Sequence, residues 1–217
     1  SHYLDLHRFG NTETSDLWDA IEEVNPATPV RRMMDSWIWQ PGYPLISARL
    51  DGDALVLAQQ RFAYGDTDDA TLFVVPIHLR IDGRESKVLL DADEMRVPLD
   101  DPSATVIVNA GGHGFVRVAY DDALRSRLTD KAIDALTTVE RYNLVDDAWN
   151  AVVAGRLAAA DFLTFAEGFA NERELAVWQI LANALRGLGR LLDGDAFEAF
   201  RGRVRRLAGP VLVQLGW

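Results

Sequence analysis

The hydrophobic period of this chain changes twice, and each change restricts what that segment can fold into. Up to about residue 41, apolar side chains recur at helical spacing. Leu17, Trp18, Ile21 and Val24 form one stripe, and Val30, Met33, Met34, Trp37 and Ile38 form another. Thr14 or Ser15 is the expected cap of the first, and Thr28-Pro29 opens the second as a cap and first-turn proline. Gln40-Pro41-Gly42 stops it. From about 43 to 120 the period falls to two. Ile46, Ala48 and Leu50 alternate before the turn signal Asp51-Gly52, and Leu55, Leu57 and Gln59 continue on a return strand. Phe73, Val75, Ile77, Leu79 and Ile81 alternate up to Asp82-Gly83. Val88 to Leu90, Thr105 to Asn109 and Phe115 to Tyr120 supply further short strands.

After about residue 121 the helical period returns. Val145, Ala148, Trp149 and Val152 form a stripe closed by Gly155, followed by Phe162, Phe165, Ala166 and Phe169. Trp178, Leu181, Leu185 and Leu188 come next, then Phe197, Phe200, Val204 and Leu207, and Pro210 is expected to begin another helix. The pattern predicts an α+β chain in three parts: a helical piece over 1–41, a small antiparallel β-sandwich over 42–120, and the start of an all-α, solenoid-like domain of stacked helices over 121–217. The first piece has too little apolar area to stand alone and reads as the tail of a larger domain. Pro210 to Trp217 reads as the start of a helix left unfinished. With unpartnered stripes at both ends, the chain is expected to be a fragment and to self-associate.

Charge and cysteine content narrow the function. Acidic residues outnumber basic ones 33 to 22, a formal net charge of -11, so nucleic acid and anionic membrane surfaces are poor partners. There is no cysteine, which removes disulfides and thiolate chemistry. No apolar run approaches the roughly 20 residues that span a bilayer, and Ser1 to Gly10 is too polar for a signal peptide. A cytoplasmic location is expected.

The side chains that carry chemistry are few. His2, His7, His78 and His113 fall in no HExxH or HxH pattern and read as surface or satisfied core residues. Asp66, Asp68 and Asp69 resemble half of a calcium loop, but Ala70 and Thr71 stand where that loop needs an oxygen ligand and a glycine. Gly111-Gly112-His113-Gly114 joins two strands and reads as a tight hairpin, since a dinucleotide loop would lead into a helix. No serine lies in a GxSxG elbow. Glu22-Glu23 and Asp146-Asp147 are adjacent pairs that diverge by about 100° on a helix, so they read as solvated charges. Arg201, Arg203, Arg205 and Arg206 read as a solvated helix face. No catalytic, cofactor-binding or metal-binding residue is expected.

Five stretches, in order and over nearly the whole chain, resemble the C-terminal half of the zinc aminopeptidase N (gluzincin aminopeptidase) family. They are Tyr3-Leu4 through Gln40-Pro41-Gly42-Tyr43-Pro44; Gln59-Gln60-Arg61-Phe62; Asn109-Ala110-Gly111 with Gly114-Phe115-Val116-Arg117-Val118-Ala119-Tyr120; Glu140-Arg141 to Asp146-Asp147-Ala148 with Ala154-Gly155 and Glu172 to Trp178; and the ending Leu215-Gly216-Trp217. The resemblance implies a four-domain parent that removes N-terminal residues from peptides with one zinc. Residues 1–41 would be the end of its thermolysin-like catalytic domain, and residues 121–217 part of the helical domain that closes over the cleft. The family's HExxH and its other catalytic motifs precede the part matched here, so none carries over. The partners implied are the rest of the same polypeptide and, in the parent, a peptide substrate. The competing expectation is a stand-alone protein-interaction module on the same scaffold.

Overall fold

The computed structural model describes residues 2–65 and 69–216, with only the backbone of residues 130 and 131. Asp66 and Asp68 of the candidate calcium loop, and Ser1 and Trp217, lie outside the described residues. The chain opens with helices α1 (His2–Leu6), α2 (Thr14–Val24) and α3 (Val30–Ile38). Glu13, not Thr14 or Ser15, caps α2, because Asp16 reaches back to the Glu13 amide at 2.8 Å. Pro29 holds the cap position of α3, one residue earlier than a first-turn proline. The stripe of α3 turns inward. Val30 is buried, and the Trp37 ring lies 5.2 Å from that of Phe73 while its indole N–H donates to the Val74 carbonyl at 3.1 Å. The stripe of α2 is less covered, with Ile21 and Val24 exposed.

Among the described residues seven strands follow: β1 (Pro44–Asp51), β2 (Ala54–Arg61), β3 (Val75–Ile81), β4 (Arg84–Leu90), β5 (Glu94–Pro98), β6 (Val106–Val108) and β7 (Arg117–Tyr120). They form two small sheets, ordered β5-β2-β1-β7 and β4-β3-β6. Both contribute to one hydrophobic core through Ile46, Leu55 and Leu57 on one side and Val75, Ile77 and Leu79 on the other. Two-residue turns set the registers. Asp51 pairs with Ala54, which places the first turn at Gly52-Asp53. Ile81 pairs with Arg84 around Asp82 and Gly83, whose φ values of 45° and 80° are the left-handed pair such a hairpin needs.

The pairing is not wholly antiparallel as the sequence predicts. β7 runs parallel to β1, with Leu45 opposite Arg117 and Ala48 opposite Tyr120. The reason is that β6 and β7 lie in different sheets, so the glycine-rich segment between them is a crossover and not a hairpin. β5, which the pattern did not single out, forms the edge beyond β2. Gln59 ties both sheets together. Its amide nitrogen donates to the carbonyls of Phe73 and Ala92, each at 2.8 Å, and its oxygen accepts from the Phe73 amide at 2.9 Å. Gln59→Leu is therefore expected to cost about 1–3 kcal/mol, because it strands buried backbone groups. Urea unfolding that leaves the midpoint unchanged would refute that role.

The helical part comprises α4 (Asp122–Arg127), α5 (Thr138–Val153), α6 (Ala159–Glu167), α7 (Leu175–Gly189) and α8 (Gly194–Gln214). The stripes read from the sequence meet in one core that includes Val145, Phe162, Phe165, Phe169, Leu181, Leu188, Phe200 and Leu207. Gly155, with φ 72°, follows the end of α5 as the pattern requires. Pro210 does not start a new helix but lies inside α8. A proline ring removes one amide donor, and the acceptor it deprives, the Arg206 carbonyl, belongs to an exposed residue. Along β6, Val106 and Val108 enter the sheet core while Ile107 between them enters the helical core. No helix of the described residues is long and apolar enough to cross a membrane.

Candidate functional site

The densest polar network lies where the sheets meet α5. It starts in the crossover. Asn109 takes a left-handed conformation (φ 61°), and its side chain clamps both backbone groups of Gly114, at 2.7 and 3.0 Å. Gly111 and Gly112 follow with φ of 74° and 68°. A Cβ on Gly112 would stand 2.4 Å from a Val139 methyl, so the turn presses directly against the first turn of α5.

Thr137 caps α5 and Glu140 completes a capping box, with the Thr137 amide donating to Glu140 Oε2 at 2.8 Å. The same carboxylate accepts from Arg80 Nη2 on β3 at 2.6 Å and from the Gly111 amide at 2.7 Å. The Glu140 side chain is 3% exposed. Burial by itself would raise its pKa, but the two amides and the Arg80 guanidinium outweigh burial and hold it below the usual carboxylate value. One residue thereby joins the smaller sheet, the crossover and the helix.

About two turns further along α5, Asp146 and Asp147 both meet Arg117 of β7. Arg117 Nη1 donates to Asp146 at 2.8 Å and to Asp147 at 3.0 Å, and the Val118 amide donates to Asp147 at 3.0 Å. The sequence reading of this pair as solvated charges is overturned. Although adjacent helical side chains diverge, α5 crosses β7 closely enough for a single guanidinium nitrogen, Nη1, to reach both. Arg117 Nε also donates to the Tyr43 hydroxyl at 3.2 Å, and the guanidinium lies 5.1 Å from the Phe62 ring centre. Burial pushes the Asp147 carboxyl up to about 7, against the Val118 amide and Arg117, which favour its ionised form. The Arg117 guanidinium is held more firmly protonated than usual: burial opposes this, and Asp146 and Tyr43 prevail. Asn150 extends the network by accepting from the Tyr64 hydroxyl at 2.6 Å. Tyr120 bonds both backbone groups of Val108, and burial raises its hydroxyl pKa.

This seam holds elements in place and offers no room for a substrate. The cavity beside it is about 20 Å³, lined by Asn109, Tyr120, Glu140, Asn143 and Asp147 among others. That is about the space of one water. Elsewhere the sequence candidates spread out. His2 bonds Glu23 at 2.6 Å, and His7 stands 3.9 Å from Asp16. Asp69 pairs with Arg61 and accepts the Thr71 amide at 2.7 Å. The arginines of α8 are dispersed: Arg201 pairs with Glu198 at 2.8 Å, and Arg203 bonds Glu167 at 2.8 Å and Thr164 at 2.9 Å. His78 and His113 do come together, with ring centres 5.2 Å apart. Among the described residues no group of three or more histidine and carboxylate side chains is placed to hold a metal ion. The catalytic zinc implied by the resemblance therefore finds no set of three protein ligands among the described residues, and they supply no step through it.

The family described as "ERAP1-like C-terminal domain" matches residues 105–217, just over half of the chain. Tricorn protease-interacting factor F2 of Thermoplasma acidophilum is 32% identical over 212 residues, covering 98% of this chain and 25% of that protein. Aminopeptidase N of Lactococcus lactis subsp. cremoris is 28% identical over 224 residues, covering 99% of this chain and 26% of that protein. Aminopeptidase M1-B of Oryza sativa subsp. japonica is 29% identical over 237 residues, with 99% and 26% covered. The chain thus spans about a quarter of the length of these curated relatives.

Proposed function

The chain belongs to the ERAP1-like C-terminal domain family as a C-terminal part of an M1 aminopeptidase, and from that premise we propose that it is the non-catalytic, cleft-covering part of an enzyme that removes N-terminal residues from peptides. In this reading residues 1–41 end the catalytic domain. Residues 42–120 form a β-sandwich linker, and residues 121–217 begin a helical-repeat domain above the cleft. The partners are the rest of the same polypeptide and the peptide it cuts. The zinc that this reading implies would be held by residues of the catalytic domain outside this chain, where it would supply Lewis-acid activation of the scissile carbonyl and of a water. In this reading the enzyme acts in the cytosol.

The observation that carries this reading is the near-complete match of the chain to proteins named aminopeptidase. The seam gives it a physical role. Glu140 and Arg117 fix the orientation of the helices on the sheets, and a cover over a cleft works only if its angle is fixed.

The test compares this chain with the whole polypeptide that contains it, using an aminoacyl-p-nitroanilide. With zinc added, this chain alone is expected to release no p-nitroaniline, and the whole polypeptide is expected to release it. Glu140→Ala in the whole polypeptide is expected to lower kcat/KM for peptides by about tenfold, or roughly 1.4 kcal/mol. Turnover by the chain alone would overturn the non-catalytic assignment. An inactive whole polypeptide would overturn the aminopeptidase reading.

A further inference from the structure

His78 sits on β3, facing away from the core that Ile77 and Leu79 enter, and His113 lies within the crossover, just after its glycine turn. Their ring centres are 5.2 Å apart, with the planes at 57°. No hydrogen bond from a described residue occupies a nitrogen of either ring. The two rings line a cavity of about 130 Å³ together with Glu85, Ser86 and Lys87 of β4 and with Gly111. His113 is braced from behind. Its Nε2 would lie 2.5 Å from a Cβ on Gly111, so the ring packs directly against the turn, where the φ of 74° favours glycine.

Ring packing alone would account for the contact, but the spacing has a further meaning. A tetrahedral ion binds imidazole nitrogen at about 2.0–2.1 Å. Adding about 1.1 Å from nitrogen to ring centre and opening the angle to about 109° separates two ring centres by about 5.2 Å. The observed separation allows that geometry, and it is also the distance at which Trp37 packs on Phe73, so the two free imidazoles at one cavity carry the inference. Imidazoles suit zinc, copper and nickel, whereas calcium and magnesium require sets of oxygen ligands that this cavity lacks.

We propose that His78 and His113 form a two-imidazole site for a borderline divalent transition ion of the zinc, nickel and copper class. Water completes the coordination, and the Glu85 carboxylate lines the same cavity. Lys87, opposite His78 in the β3–β4 ladder, limits the affinity through its positive charge. An ion held here ties the crossover to β3. Because the crossover also presents the Gly111 amide to Glu140, the ion braces the seam from its solvent side.

The test is titration of this chain, freed of metal with a chelator, with zinc chloride and separately with nickel chloride. Calorimetry is read together with the imidazole nitrogen resonances. One ion per chain is expected, shifting the resonances of His78 and His113 together and raising the thermal midpoint. His78→Gln and His113→Gln are each expected to weaken binding by about tenfold or more, while the His2→Gln, His7→Gln double variant binds as before. Lys87→Gln is expected to tighten it. Far-ultraviolet circular dichroism confirms that each variant folds, and His113 is exposed, so its replacement leaves the core intact. No saturable binding, or binding that survives both single substitutions, would overturn the site. Neither outcome bears on the aminopeptidase reading, which is tested by turnover.

Discussion

Replacing Arg117 with methionine is expected to lower the unfolding free energy by about 3–5 kcal/mol, the cost typical of removing one partner from a buried charge cluster. Methionine keeps most of the volume and the packing on Phe62, so the loss comes from charge. The Arg117 side chain is 17% exposed, and its guanidinium bonds both Asp146 and Asp147. Without it two neighbouring carboxylates face each other at the seam, and the Tyr43 hydroxyl loses its donor. The loss should shrink in mild acid, because Asp147 takes up a proton readily and a neutral partner removes the repulsion. Urea unfolding of R117M at about pH 5.5 and about pH 8 measures both effects. A variant as stable as the parent chain at both values would show that the cluster does not hold the seam.

Asp147 itself should make the chain less stable as the pH rises through neutrality. Its carboxyl is raised to about 7 in the fold, against an ordinary 3.8. The folded state therefore binds the proton more tightly than the unfolded chain does. The stabilisation is complete below the unfolded value and is lost as pH climbs through about 7. Over the whole span the group is worth on the order of 4 kcal/mol, and between pH 5.5 and 7.5 about 2 kcal/mol. Glu140, Glu167 and Glu172 act in the opposite sense. Their values are depressed, so their contribution is present above the ordinary glutamate range and is lost on acidification. The chain should be most stable in mildly acidic solution, with stability falling on both sides. Asp147→Asn should flatten the neutral limb and leave the acid limb. If denaturation midpoints of the parent chain are level from pH 5.5 to 7.5, Asp147 is ionised throughout and the assigned shift is wrong.

The seam shows how differently the layers of this protein are written in its sequence. The apolar stripes of α5, α6 and α7 supply residues that are buried in the helical core or packed against it, Trp149, Val152 and Trp178 among the latter. The alternation in β1, β2 and β3 likewise marks the residues that enter the sheet core. The capping box at Thr137 and Glu140 was present as letters, but nothing in it announces that Glu140 also reaches Arg80 and Gly111. Asp146-Asp147 was misread because a helical wheel places the two side chains apart and contains no information about the arginine lying across both. The glycine-rich run needed positive φ wherever it went. Whether it turned back as a hairpin or crossed to the other sheet depended on which strands were already paired.

What the sequence determined by itself is therefore local or periodic: the three textures, the turn glycines, the faces that must be buried, and through its ordered motifs the family. These follow from side-chain spacing and backbone sterics, which act over a few residues. What only the tertiary structure decided is long-range and polar. It set β7 parallel to β1, brought His78 to His113, and placed Arg80 on Glu140 and Arg117 on two aspartates. Apolar burial needs only a matching face, whereas a buried charge needs a particular partner at about 3 Å, and that partner is fixed by how the finished elements pack.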